Sequence, residues 1–63
     1  MSGLARVTDA RDSKHEFLNP DHVRSVREIP GGSQITFSDG STLVVTEAVN
    51  IVVAALQGAM SRT

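Results

Sequence analysis

The sequence contains no cysteine, no tryptophan and no tyrosine, and its only aromatic residues are two phenylalanines among 63 residues. Because cysteine is absent, neither a disulfide nor a thiolate zinc site can stabilise the fold. Two aromatic side chains are too few for the stacking surfaces on which single-stranded nucleic acids normally bind. The formal net charge of −1 also predicts weak long-range attraction to a polyanion, so nucleic acid is not the expected partner.

Long apolar segments are also missing. No window approaches the roughly 18 apolar residues that a transmembrane helix needs. The first residues, MSGLARVTDAR, lack the apolar core of a secretory signal peptide. We therefore expect no membrane insertion and a cytoplasmic location.

A chain of 63 residues forms at most one small domain, here predicted to span 1–63 with residues 1–3 and 61–63 frayed. The core of such a domain contributes only about 3–5 kcal/mol, so small domains usually rely on a disulfide, a metal or a partner subunit as well. The two histidines, His15 and His22, lack the spacing of metal ligands, and no metal or other cofactor is expected. By elimination, we expect the chain to form a homo-oligomer.

Alternating apolar residues and strong turn signals predict an antiparallel β-meander of four or five strands. The Asp39-Gly40 pair favours a tight hairpin, and the PGG stretch at 30–32 favours a second turn. The predicted strands cover residues 4–8, 15–18, 24–29, 33–37 and 42–45.

The stretch FLNPDHVRSV, residues 17–26, contains a corner of this meander. Proline cannot donate to a strand ladder and restricts the residue before it, so the NPDH segment is interpreted as a turn rather than a site. Val23, Val26 and Ile29 are three residues apart, a spacing that fits neither a strand nor a long helix. A single helical turn around residues 21–23, followed by a strand, resolves this spacing.

One amphipathic helix is predicted near the C-terminal end of the sequence. Thr46 is a suitable N-cap, and Glu47 would lie near the positive end of the helix dipole. Further apolar residues widen the apolar stripe beyond what one small sheet can cover, which favours burial against a second copy. We expect this oligomer interface to include Ile51, Val52, Ala55 and Leu56. The stripe itself consists of Ala48, Val49, Val52, Val53, Leu56 and Met60.

Together these patterns predict an α+β fold, a small antiparallel β-meander of four to five strands with one C-terminal amphipathic helix. The helix is expected to cover one face of the sheet. The predicted core draws apolar residues from each element: Val7, Phe17, Leu18, Val26, Ile35, Phe37, Leu43, Val45, Val49, Val52, Val53 and Leu56.

Catalytic signatures are absent from the sequence. No serine lies in a nucleophile-elbow sequence, and no pair of acids has a convincing spacing. The glycine-containing loops PGGSQ and SDGST match no phosphate-binding motif. A non-enzymatic function is therefore expected. The candidate acids, bases and nucleophiles in the sequence are His15, His22, Asp21, Asp39, Ser38 and Ser41.

The cations Arg24 and Arg27, with His22 near them in the sequence, are a candidate ligand site. If the strand alternates regularly, the two arginines lie on opposite faces, so one of them faces solvent or a neighbouring subunit. Copies of such a cation at subunit boundaries could bind a phosphate or carboxylate group. The alternative, which we favour, is a solvated charged strand that prevents edge-to-edge pairing.

The order of the elements, together with a set of turn and core residues, matches the pattern of a known family. The matching residues are Leu18, Asn19, Pro20, Asp21, Val23, Val26, Pro30, Ile35, Phe37, Gly40, Val44, Val45, Glu47 and Val49. Through them the sequence resembles the FlbD-like family of small flagellar and swarming-motility proteins, over roughly residues 7–56. The resemblance implies a small cytoplasmic protein linked to motility, and it assigns no catalytic residues.

Three functions remain open at this point. The first is a cytoplasmic accessory module that acts as a homo-oligomer and binds a protein partner, flagellar by resemblance. The second is an oligomer, encoded by a phage or by a host, that sequesters or senses a small anionic, nucleotide-like ligand at subunit boundaries. The third is a nucleic-acid-binding regulator that uses its sheet, although the net charge and the scarcity of aromatic residues argue against it.

Overall fold

Five strands precede one helix in the part of the chain that the structure describes. The computed structural model describes residues 3–61, and for 60 and 61 it describes only the backbone. The predicted α+β fold, an antiparallel meander followed by a helix, is confirmed. The elements are β1 (Ala5–Thr8), β2 (His15–Leu18), a 3₁₀ turn (Pro20–His22), β3 (Val23–Ile29), β4 (Gly32–Phe37), β5 (Thr42–Val45) and α1 (Val49–Ser61).

The strands form two antiparallel sheets that are joined at one corner. β1 and β2 form a hairpin, while β3, β4 and β5 form a three-stranded sheet with β4 in its centre. An isolated bridge between Asp9 and Val45 links the two sheets. Next to it, the Thr46 N–H donates a hydrogen bond of 3.0 Å to the Thr8 carbonyl. We call this junction between the ends of β1 and β5 the seam.

A β-bulge in β3 accommodates the unusual spacing of Val23 and Val26. Val23 and Ser25 pair with adjacent residues of β4, so Arg24 between them is an extra residue. The extra residue shifts the alternation of the strand by one position, and both valines consequently pack against the core. The helical turn that the sequence predicts is also present, one residue earlier than expected, as the 3₁₀ turn before β3.

The core lies between the two sheets and one face of α1. One residue predicted to belong to it, Phe17, does not. Phe17 is 62% exposed, and the prediction that it is a core residue is wrong. The hairpin register pairs Phe17 with Arg6 on the outer face, while Leu18 faces inward. Adjacent residues of a strand point to opposite faces, so only one of the two can be buried.

The other predicted core residues are buried or half-buried. Val49 and Val53 are half-buried. Val26, Phe37 and Leu43 pack against the core from its border, as do Val23 and Ala55. The buried apolar residues are Ala5, Val7, Leu18, Ile35, Val45, Val52, Leu56 and Ala59, of which the sequence analysis missed the two small ones, Ala5 and Ala59.

The helix begins later than the sequence predicts. α1 starts at Val49, directly after Ala48, whose carbonyl accepts the first helical hydrogen bonds. The expected N-cap role of Thr46 and the expected position of Glu47 at the helix dipole are therefore wrong. Both residues are engaged at the seam instead, where Thr46 donates to the Thr8 carbonyl and the Glu47 carboxylate accepts from Thr8.

The two ends of the described chain contact each other. The Gly3 N–H donates a hydrogen bond of 3.0 Å to the Ala59 carbonyl. Ala59 lies in the last turn of α1, where carbonyl groups lack partners within the helix. The sequence predicts that Gly3 and Ser61 fray, whereas Gly3 makes this bond and Ser61 is the last residue of α1. Two further predictions fall outside the described part of the chain. They are the fraying of residues 1–2 and 62–63 and the place of the Met60 side chain in the apolar stripe.

The NPDH segment is a capped corner between β2 and β3. Asn19 accepts a hydrogen bond from the Asp21 N–H at 3.0 Å through its side-chain oxygen. Its carbonyl accepts a second, also 3.0 Å long, from the His22 N–H. Pro20 is buried. These contacts stabilise a turn between β2 and β3, which agrees with the interpretation of the segment as a turn.

Replacing Asn19 by alanine is expected to lower the free energy of unfolding by about 1 kcal/mol, because the side-chain cap is lost. Replacing the exposed His22 by alanine is the matched control, with an expected change within about 0.5 kcal/mol. Urea unfolding followed by circular dichroism measures both. Equal losses in the two variants would show that the cap is not what stabilises the corner.

Candidate functional site

A groove separates the β1–β2 hairpin from α1 and has a volume of about 590 Å³. Its hairpin side carries large side chains, notably Leu4 and Phe17, whereas its helix side carries only small residues. We call it the hairpin–helix groove. The residues that line it are Leu4, Ala5, Arg6, Phe17, Ala54, Ala55, Gly58 and Ala59.

Large apolar side chains around the groove are exposed to solvent. Leu4 is 58% exposed and Phe17 is 62% exposed. Ile51, on the preceding turn of α1, is 52% exposed. Single exposed apolar residues are common on protein surfaces, but a cluster beside a concave surface is typical of a site that binds a protein, a membrane or a ligand.

Strand alternation and helix composition produce this groove. Because Leu18 occupies the inner face of β2, its neighbour Phe17 must stand on the outer face. On α1, Ala54 and Gly58 are four residues apart and lie on the same side of the helix. Their small side chains leave the space that the larger hairpin residues border.

Arg6 is the charged residue of the groove lining. It is exposed and pairs with Phe17 across the hairpin. All the other lining residues are apolar or glycine. Among the side chains that line the groove, Arg6 is therefore the one that could pair with an anionic group.

Glu47 and its partners hold the hairpin against the rest of the molecule. The Glu47 carboxylate accepts a hydrogen bond of 2.9 Å from the Thr8 N–H and another of 2.8 Å from the Thr8 hydroxyl. The Glu47 carbonyl accepts a third, 2.7 Å long, from the hydroxyl of Ser33 in β4. Ser33 is fully buried. These contacts fix the position of β1, and thereby of the hairpin side of the groove.

The pKa of Glu47 reflects two opposing influences. Partial burial raises the pKa of the carboxyl group, but the hydrogen bonds from the backbone and side chain of Thr8 lower it by more. The net pKa lies below the ordinary value of 4.5. The carboxylate is thus ionised at neutral pH, in the form that accepts both bonds.

Two aspartates organise loops elsewhere in the fold. Asp9 is buried, and its carboxylate accepts from the Arg11 backbone at 2.8 Å and from the Arg11 guanidinium at 3.1 Å. The Arg11 side-chain hydrogen bond holds the pKa of Asp9 below its ordinary value. Asp39 accepts from the Ser41 hydroxyl and backbone, which likewise lowers the pKa of Asp39. Both carboxylates stabilise turns of their own segments.

The predicted ligand residues His22, Arg24 and Arg27 are all exposed and lie outside the groove lining. The bulge at Arg24 breaks the regular alternation from which the sequence analysis placed the two arginines on opposite faces. The His22 carbonyl accepts a hydrogen bond of 2.8 Å from the Ser38 N–H, which joins this corner to the β4–β5 turn. A ligand site at these residues stays a prediction.

The predicted interface residues divide into two pairs. Val52 is fully buried and Leu56 is 9% exposed, so both belong to the core of the single chain and cannot contact a second copy without rearrangement. Ile51 is exposed, and Ala55 is half-buried and lines the groove. The accessible apolar surface of α1 therefore lies beside the hairpin.

Sequence reasoning missed the groove because it placed Phe17 in the core. The signal was present in the order of residues, since adjacent Phe17 and Leu18 cannot share one face of a strand. Among the residues the structure describes, no group of three or more His, Cys, Asp or Glu side chains is arranged to hold a metal ion. Within residues 3–61 there is also no helix with the length and apolar character that a membrane crossing requires.

Comparison with known proteins identifies a family. The family model FlbD, described as flagellar and swarming motility proteins, matches residues 6–62, which is nearly the whole chain. No curated protein and no solved structure matches the chain significantly. The resemblance that the sequence indicates is confirmed by the family match.

Proposed function

Because the chain belongs to the FlbD family of flagellar and swarming motility proteins, we propose that it is a motility accessory protein that acts by binding another protein chain through the hairpin–helix groove. In this proposal the protein has no catalytic activity. The observation that carries it is the exposure of Leu4 and Phe17 in a groove whose helix side is lined by small residues, with Ile51 exposed on the preceding turn of α1.

The energetics of burial support a protein partner. Full burial of an exposed leucine, isoleucine or phenylalanine side chain contributes roughly 1.5–3 kcal/mol. The three side chains are each more than half exposed, so covering them provides a substantial part of the free energy that a specific interface needs. A protein partner with apolar side chains of its own complements such a surface.

The arrangement of charges supports a protein partner over a small anion. A phosphate or carboxylate site normally gathers several cations or backbone N–H donors around one point. Among the described side chains that line the groove, Arg6 is the single cation, and it is exposed. The other candidate cations, Arg24 and Arg27, lie on β3 outside the groove lining.

Replacing Phe17 by aspartate is expected to abolish the contribution of the protein to motility without unfolding it. Phe17 is exposed, so the single chain loses little packing, whereas a partner would have to bury the new charge. The measurement is swimming and swarming of a motile host deleted for the gene and complemented with the variant, with protein abundance monitored by immunoblot.

The control is Val44→Asp, which introduces the same charged side chain at an apolar residue of β5 that is 38% exposed and outside the groove. This variant is expected to restore motility. Normal motility with Phe17→Asp at wild-type abundance would refute the proposed role of the groove. Equal loss with both variants would show that any added charge is harmful and would also count against it.

A further inference from the structure

We propose that the occupant of the hairpin–helix groove is a second copy of this chain, in a two-fold symmetric dimer in which Phe17 of each copy packs on Ala54 and Gly58 of the other. This inference rests on the proposed function, since it takes the groove as the docking surface and names its partner. It extends the expectation of a homo-oligomer to a specific face and a specific contact.

The face is complementary to itself. A two-fold interface uses the same surface on both copies, so that a protruding residue of one copy must fit a recess of the same surface in the other. Here Phe17 protrudes from the hairpin at 62% exposure. The recess, lined by Ala54, Ala55 and Gly58, lies on α1 across the groove from it. When the second copy is related to the first by a two-fold axis along the groove, the Phe17 of each copy lies over the recess of the other.

The size of the face is sufficient for a small dimer. A helix of 13 residues is about 20 Å long, and a helix with a two-stranded hairpin beside it is about as wide. Such a face buries on the order of 500 Å² per copy, or about 1,000 Å² in total, which meets the lower bound for a specific interface. Interfaces near this lower bound belong mostly to transient complexes, so we expect a weak dimer that dissociates in the micromolar range.

The charges of the face permit this pairing. Arg6 is the charged member of the lining and is exposed beside Phe17. Pairing the face with itself therefore brings one cation from each copy to the contact, and both can keep their charged ends in water. Ile51, at 52% exposure, extends the apolar surface along α1 beyond the groove.

The test is sedimentation velocity of the full chain over a range of concentrations, with two reciprocal variants. Phe17→Glu and Ala54→Lys are each expected to weaken self-association at least tenfold, because each places a charge in an apolar contact. Mixed in equal amounts, the two variants are expected to form a heterodimer, because the new glutamate of one copy then faces the new lysine of the other. Both positions are exposed, and circular dichroism checks that each variant is folded.

Recovery of the dimer only in the mixture supports the proposed contact, because a general loss of solubility or stability would not be corrected by mixing. Val44→Glu, outside the groove, is expected to dimerise as the wild type does. A wild-type chain that stays monomeric at several hundred micromolar overturns the inference, as does a dimer that persists in both single variants.

The same set of variants separates the inference from the proposed function. If the wild type is monomeric and Phe17→Asp nevertheless abolishes motility, the groove binds a different protein; the proposed function then stands and the inference fails. If the reciprocal variants lose and regain the dimer as expected while Phe17→Asp leaves motility normal, the dimer contact stands and the proposed function fails.

Discussion

Replacing Gly32 by alanine is expected to leave the chain largely unfolded at 25 °C. A Cβ atom at this position would fall on the carbonyl oxygen of Val45 and lie 3.1 Å from the Cα of Thr46. Both neighbours belong to the backbone at the seam, so no side-chain rotation can relieve the contact. We expect a loss above about 4 kcal/mol, against a core that supplies only about 3–5 kcal/mol in a domain of this size.

Gly58→Ala is the matched control for this substitution, measured at concentrations below those at which the chain would dimerise. A Cβ atom at Gly58 meets nothing within 4 Å, and alanine in a helix is more stable than glycine by about 0.5–1 kcal/mol. The two glycine-to-alanine changes should therefore have opposite signs, which urea unfolding measures. A folded Gly32→Ala variant with nearly wild-type stability would show that β4 can move away from β5, and that the close approach at the seam is not required.

Replacing Glu47 by alanine is expected to lower the free energy of unfolding by about 2–3 kcal/mol. The change removes a charged acceptor from two hydrogen bonds and leaves the Thr8 N–H without that partner. The Ser33 hydroxyl can still donate to the main-chain carbonyl of residue 47 in this variant. The loss of stability therefore reports on the carboxylate alone. The control is Glu28→Ala, which removes the same charge at an exposed position of β3 and should change stability by less than about 0.5 kcal/mol.

The pH dependence of stability provides a second measurement on Glu47. Its pKa in the folded chain is lower than the ordinary value of 4.5, so folding favours the ionised form. The stability it contributes is fully present above about pH 4.5 and is lost as the pH falls through the folded-state pKa. Asp9 and Asp39 also have lowered pKa values and act in the same direction.

Comparison with Glu47→Gln isolates the contribution of Glu47 from those of the aspartates. The amide retains an acceptor for the Thr8 N–H but does not titrate, so its unfolding free energy should fall less steeply between pH 5 and pH 3 than that of the wild type. Chemical unfolding at several pH values within this range measures the two slopes. Identical slopes for the wild type and Glu47→Gln would contradict the assignment.

Most of the fold follows from local signals in the sequence. The Asp39-Gly40 pair places a glycine where the backbone has a positive φ of 91°, and it correctly predicts the β4–β5 hairpin. The predicted bounds of β2 and β5 agree with the structure. Both features depend on residues close together in the chain, for which turn chemistry and period-two alternation are sufficient.

The errors at the start of α1 and in β3 arise because residues far apart in the chain contact each other. Thr46 and Glu47 have the chemistry of a helix start, but β1 engages both of them across the seam. Local helix propensity could not reveal this competition, because Thr8 lies 38 positions before Thr46 and 39 positions before Glu47. The bulge at Arg24 was missed for a similar reason, since it depends on the register with β4.

The sequence analysis predicted exposed apolar surface on α1 but missed the groove beside it. The excess of apolar residues on α1 correctly indicates that the helix has more apolar surface than its own sheet covers, because Ile51 remains 52% exposed. The position of that surface could not be derived, because it depends on where the hairpin packs. Once Phe17 is placed on the outer face of β2, the sequence supplies a large apolar residue for the hairpin side and small residues of α1 for the helix side.

The seam also has a consequence for the rate at which the folded state is lost. The hairpin and the three-stranded sheet are each built from local contacts, which form early, whereas the bonds between Thr8 and Glu47 close a long stretch of chain. Contacts that form after the transition state slow unfolding without accelerating folding. We therefore expect the Glu47 carboxylate to set how long a folded molecule persists, and acidification to shorten that lifetime while leaving the refolding rate nearly unchanged.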